Sequence, residues 1–92
     1  MSNITVRIPV PLRPFVGDVA ALDTDAKTVG AALEQIGENH PGFLQRIVIE
    51  AGEIRPYVNV FVGSDNVRSI SGLDTPLSDG DVVSIIPAVA GG

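Results

Sequence analysis

Apolar residues occupy every second position at the start of the chain, where Ile4, Val6, Ile8 and Val10 alternate with Asn3, Thr5, Arg7 and Pro9. Successive side chains of a strand point to opposite faces, so this period of two predicts a half-buried strand over residues 3–10. Pro9, Pro11 and Pro14 interrupt the pairing, Gly17-Asp18 carries turn chemistry, and Val19 to Leu22 can return as a second strand. An N-terminal hairpin with a long connection is the simplest arrangement. The period then changes. Val29, Ala32, Leu33 and Ile36 stand at i, i+3, i+4 and i+7, one buried face of a helix that Asp25 or Thr28 can cap. Asn39-His40-Pro41-Gly42 ends that helix, because proline disfavours helical geometry in the residue before it.

Further on, Phe43 to Arg46 reads as a turn and the β-branched Ile47-Val48-Ile49 as a short strand. The chain reverses at Glu50-Ala51-Gly52-Glu53 and enters a strand from Arg55 to Val62, with Val58, Val60 and Val62 on one face and Tyr57, Asn59 and Phe61 on the other. Gly63 to Asn66 is a turn, Val67 and Arg68 begin a short edge segment, and Ser69 to Pro76 is a loop with one helical turn. Leu77-Ser78-Asp79-Gly80-Asp81 turns tightly into a last strand, Val82 to Ile86. Strand, strand, helix and several strands, without repeated βαβ units, predict an α+β domain in which one main helix packs on one face of a mixed sheet. The opposite face is then bare. Tyr57 and Phe61 either form an apolar docking patch there or pack beneath the loop at 69–76.

Composition narrows the chemistry. The 92 residues suffice for one domain with a single small core, assigned to 1–87, followed by a flexible tail at 88–92. A net charge of −5 opposes binding to nucleic acid phosphates and to anionic membranes, and no apolar run approaches the length needed to span a bilayer. The first residues show no basic-then-apolar leader, so a cytoplasmic location is expected. Asn3-Ile4-Thr5 matches a glycosylation sequon, which such a chain would not use. With no cysteine and a single histidine, thiol catalysis, disulfides and a Cys/His zinc site are excluded, and His40 is expected as a solvent-facing helix terminus.

The remaining candidates dissolve into structure. Asp79-Gly80-Asp81 is turn chemistry rather than a catalytic carboxylate pair. Asp23-Thr24-Asp25 opens like a calcium loop, but Lys27 stands where an oxygen ligand belongs and Thr28 where the loop needs glycine. Arg55 and Arg68 are expected as surface ion-pair partners. No phosphate loop, Ser/His/Asp set or HExxH motif is present, so no enzyme activity is expected.

What is unusual is the end, Pro87-Ala88-Val89-Ala90-Gly91-Gly92, a run of small residues after a proline that cannot donate to a ladder. A glycine carboxylate is the least hindered a chain can present, and Gly91 permits entry into a channel too narrow for any Cβ. The end of the chain therefore looks like a substrate for another enzyme.

The element order, the Leu77-Ser78-Asp79-Gly80-Asp81-Val82-Val83 turn and the Gly-Gly tail together resemble the β-grasp sulfur carriers of the ubiquitin-like superfamily. Members include the molybdopterin synthase small subunit and the thiamine sulfur carrier, and the resemblance spans essentially the whole chain. Arg55 to Val62, followed by Asp65-Asn66-Val67-Arg68, is most similar to the branch that supplies sulfur for cysteine synthesis.

The resemblance implies a β-grasp fold and a cycle performed on Gly92 by other proteins. An adenylating enzyme would spend ATP to join the Gly92 carboxylate to AMP, sulfide would displace AMP, and the resulting thiocarboxylate would donate its sulfur. In the cysteine branch the acceptor would be an aminoacrylate on a PLP-dependent cysteine synthase, and a metallopeptidase would release the product. Ala88, Val89, Ala90 and Gly91 would insert into the partner, Tyr57 and Phe61 would dock, and the carrier itself would bind no cofactor or metal. Alternatives are a molybdopterin synthase subunit, a modifier joined to lysines of other proteins, and a plain interaction module in which the tail has no part.

Overall fold

The computed structural model describes residues 3–49 and 52–87. Ile4, Val6 and Ile8 are all buried, and the first strand, β1 (Ile4–Arg7), follows from that alternation. It stops earlier than the pattern suggests. Val10–Val16 forms a 3-10 helix, entered through Pro9 and ended by Gly17 and Asp18, which both take left-handed φ, at 74° and 61°. This insertion displaces the second strand two residues onward, to β2 (Ala21–Thr24), which pairs antiparallel with β1 as expected of a hairpin.

The main helix, α1 (Val29–Asn39), begins at Thr28, whose hydroxyl accepts from the Ala31 N–H at 3.1 Å. A second free N–H, that of Val29, donates to the Thr75 carbonyl at 3.0 Å, so the loop before the last strand also caps the helix. Val29, Ala32, Leu33 and Ile36 are buried, as their spacing requires.

Where a turn and a strand were expected at 43–49, the chain forms a second helix, α2 (Pro41–Ile47), and only Val48 makes an isolated bridge, to Ile54. Pro41 ends one helix and starts the next, since its missing N–H costs nothing at a first helical position. Burial decides against the β-branched preference of this stretch. Phe43 and Ile47, four residues apart, are both fully buried on the helical face that meets the core. Gly37 of α1 lets α2 approach, because a Cβ there would lie 2.7 Å from Leu44 Cδ2 and 2.9 Å from Leu44 Cβ.

The third strand is β3 (Val58–Val62), and β4 (Asp65–Asn66) is a two-residue edge strand followed by 3-10 turns at Val67–Ser69 and Gly72–Asp74. The edge pairing thus lies just before Val67 and Arg68 rather than on them. The last strand, β5 (Val82–Pro87), completes a five-stranded sheet of order β2-β1-β5-β3-β4, mixed because β1 and β5 are parallel and the other pairs antiparallel.

The Leu77–Asp81 turn fixes that central parallel pair. Ser78 N–H donates to Asp81 Oδ2 (2.8 Å), Gly80 N–H to the Asn3 carbonyl (2.9 Å), Thr5 N–H to the Asp81 carbonyl (3.1 Å) and Asn3 N–H to Asp79 Oδ1 (2.7 Å). Both aspartates of the Asp-Gly-Asp run are therefore occupied as turn ligands.

The core lies between the sheet and the helical layer, with Val6, Val83, Val60, Leu33, Phe43 and Ile47 fully enclosed. Filling the Gly37 site tests that packing. Overpacking costs about 1–3 kcal/mol, against which alanine gains about 1 kcal/mol of helix propensity over glycine. Gly37→Ala should therefore lower stability on balance, read as a reduced urea midpoint with an unchanged denaturant slope.

Candidate functional site

The tail residues Ala88, Val89, Ala90, Gly91 and Gly92 lie outside the described residues. What the structure describes is the ground from which they depart. Pro87, the last described residue of β5, pairs with Val58 at the start of β3, next in sequence to Tyr57. Tyr57 is 58% exposed, and it belongs not to the strand but to a turn closed by the Val58 N–H donating to the Arg55 carbonyl at 3.0 Å.

Phe61 stands on the sheet face opposite the buried Val58 and Val60, with Ser84 as its cross-strand neighbour. It is half-buried and is not among the residues packed on the core. The loop beneath which both rings could have packed instead lies against the helical layer, where Leu73 meets Gly30 of α1. Phe61 thus stands on the open face of β3, and Tyr57 is exposed in the turn that precedes the strand.

Two residues join them that the sequence reading passed over. Ile86, paired with Asn59, alternates outward from the buried Val83 and Ile85 and is 51% exposed. Arg7, which aligns with Ser84 on one side and Ala21 on the other, is exposed on the same face. Arg7 and Ile86 line a depression of about 570 Å³ beside the root of the tail, together with Arg13, whose Nε donates to the Ile8 carbonyl at 3.1 Å. The signal was available: β5 reads Val-Val-Ser-Ile-Ile, and period two places its final isoleucine on the open side.

The arginines expected as ion-pair partners hold backbone instead. Arg68 Nη2 donates to the carbonyls of Arg55 (2.6 Å) and Val58 (2.7 Å), and Arg55 Nε donates to the Gln45 carbonyl (2.9 Å). Through its planar guanidinium Arg68 thereby ties the turn at Arg55 to the first residue of β3. Arg46 stacks over Phe15, 4.3 Å from the ring centroid.

His40 is half-buried between α1 and α2, where its N–H donates to the Ile36 carbonyl and its own carbonyl accepts from Phe43. This backbone junction explains its position better than an exposed helix end. Among the described residues no group of acidic or histidine side chains could hold a metal, and no helix is long and apolar enough to cross a membrane. The described residues of this face form a surface with an open depression.

The sequence model of the ThiS family matches residues 6–92. The chain belongs to the ThiS family. It is 38% identical over 92 residues to the sulfur carrier protein CysO of Mycobacterium tuberculosis, covering 98% of this chain and 99% of that protein. It is 44% identical over 93 residues to small archaeal modifier protein 3 of Haloferax volcanii, with 98% and 99% covered. Among solved structures, CysO of Amycolatopsis orientalis, in its complex with BexX, superposes with a TM-score of 0.91 at 35% identity, covering 97% of this chain and 99% of that one. The β-grasp fold is that of this family member.

Because Arg68 holds the turn that presents Tyr57, its removal should be felt there. Hydrogen bonds from a charged donor contribute about 1.5–3 kcal/mol where they are well shielded and less where water competes. Arg68→Met should lower the thermal midpoint and accelerate amide exchange at Val58, measured by NMR, while amides of α1 keep their protection.

Proposed function

We propose that this member of the ThiS family is a sulfur carrier rather than an enzyme, and that Gly92 is the residue on which the sulfur travels. The observation that carries this reading is the family match running to residue 92, so that it includes the Gly91-Gly92 pair, in a chain that has no cysteine to hold sulfur elsewhere.

The chemistry asks little of the carrier beyond an accessible carboxylate. A partner enzyme joins the Gly92 carboxylate to AMP from ATP, releasing pyrophosphate and converting a resonance-stabilised anion into a mixed anhydride. Sulfide from a donor attacks the carbonyl carbon; a C–S bond forms, the C–O bond to AMP breaks, and AMP leaves. The thiocarboxylate sulfur is then nucleophilic toward an electrophile held by a second partner. Its identity to CysO supports cysteine biosynthesis as the destination, with a PLP-dependent synthase as acceptor and a metallopeptidase to free the product. ATP and PLP belong to those partners, and in this reading the carrier holds no cofactor and works in the cytoplasm.

Partners would grip the open sheet face. Tyr57, Phe61 and Ile86 offer apolar area at the tail root, and Arg7 offers a charge to orient an acidic counterpart. From Pro87 onward five residues remain, which fully extended reach about 17 Å. That reach lets Ala88 to Gly92 enter a site while the face stays docked. The 44% identity to a small archaeal modifier favours a second reading, in which activated Gly92 is joined to lysines of other proteins.

Deleting Gly92 should abolish thiocarboxylate formation in a reconstituted assay while leaving the thermal midpoint unchanged, since the described core runs from Ile4 to Ile85. Retained sulfur transfer by the deletion variant would contradict the carrier reading. Ile86→Asp and Phe61→Asp should each lower kcat/KM of the activating enzyme for the carrier by at least about tenfold, the scale of a central interface residue.

A further inference from the structure

The helical layer carries a groove that sulfur carriage leaves without a role. Ala31 and Glu34 of α1, Leu44 of α2, and Val48, Leu73 and Asp74 bound a depression of about 370 Å³. Ala31, Leu44, Val48 and Leu73 are half-buried and pack against the core from outside, so their remaining surface makes an apolar floor. The wall is close-fitted, for a Cβ at Gly30 would stand 3.1 Å from the Leu73 carbonyl oxygen.

The rim is acidic. Glu34 and Asp74 are both exposed at its edges, and among the described residues no cation lines it. The adjoining depression is lined by Glu53 as well as Asp74, and its one cation among the described residues, Arg68, is already bonded to two backbone carbonyls. None of the described residues lining the groove belongs to a strand of the sheet. A partner seated here leaves the open face and the tail root uncovered.

We propose that this groove is a second docking site, for a short peptide segment of a partner protein in which large aliphatic side chains are flanked by lysine or arginine. The volume lies at the small end of binding pockets and suits one or two such side chains, while the flanking cations meet Glu34 and Asp74. The chain's own tail does not qualify. From Pro87 to Gly92 it has no charged side chain and nothing bulkier than valine among its aliphatics. The site makes a two-handed carrier, held by one protein on the helical layer while another works at the sheet face. It is independent of what Gly92 carries.

The test is an NMR titration of the ¹⁵N-labelled full chain with the peptide acetyl-Gly-Lys-Leu-Leu-Arg-Gly-amide, using acetyl-Gly-Glu-Leu-Leu-Glu-Gly-amide as the charge-reversed control. Saturable shifts confined to the amides of Gly30, Ala31, Leu44, Val48 and Leu73, seen with the basic peptide alone, are expected. The double variant Glu34→Lys, Asp74→Lys should bind the basic peptide at least about tenfold more weakly at an unchanged melting temperature, because two attractive contacts become repulsive. No saturable shift, shifts centred on Phe61 and Ile86, or equal binding by the double variant would overturn the proposal. So would peptide-independent shifts of the same amides that grow with protein concentration, which would assign the groove to a second copy of the chain.

Discussion

The parallel pairing of β1 with β5 at the middle of the sheet is the constraint on which the rest of the molecule depends. Parallel neighbours cannot be joined by a short turn, so the whole intervening chain must form the crossover, and the two helices lie within it. The register of the pair is pinned by the turn at 77–81, whose aspartates and glycine bond back to Asn3 and Thr5. A slip of one residue would expel Val83 and Ile85 from the core and bury Ser84 and Ile86 in their place. The same pairing decides where the tail starts. With β5 parallel to β1, Ile86 and Arg7 line one depression near Pro87, the last residue of β5.

From that frame follows a separation of labour between the two faces. The inward alternation supplies the buried surface, at roughly 25 cal/mol for each Å² of apolar area removed from water. The outward alternation carries Phe61, Ile86 and Arg7, the side chains that the proposed docking uses. Under the proposed carrier role such a division matters, since a partner could then be gripped or released without disturbing the core. The groove between α1, α2 and the 72–74 turn extends this logic to the far side of the molecule.

The parts of the fold legible in the sequence were those with an uninterrupted period. The α1 face at Val29, Ala32, Leu33 and Ile36, the inward valines of β3 and the last strand are all as their spacing requires. Local preference misled where tertiary burial overruled it. Ile47-Val48-Ile49 has strand character, but Phe43 and Ile47 close the core from a helix, and Val48 pairs in an isolated bridge to Ile54. The three prolines at 9, 11 and 14 were read only as breakers, whereas their fixed φ suits the 3-10 helix they occupy or precede. Of the candidate site, Tyr57 and Phe61 were visible as aromatic residues opposite the valines. Arg68 was not, because a guanidinium bonded to carbonyls ten and thirteen residues away leaves no local pattern.

The chemical claim rests on a carboxylate, and its most direct test is the intact mass of the protein. The chain would be incubated with ATP, a sulfide source and its cognate adenylating enzyme, then analysed whole and after cleavage near the end. The account predicts a mass gain equal to replacing one oxygen by sulfur, located in the peptide that ends in Gly92 and reversed by hydrolysis. An unchanged mass while the enzyme turns over ATP on the chain, or a gain located on any other residue, would contradict it.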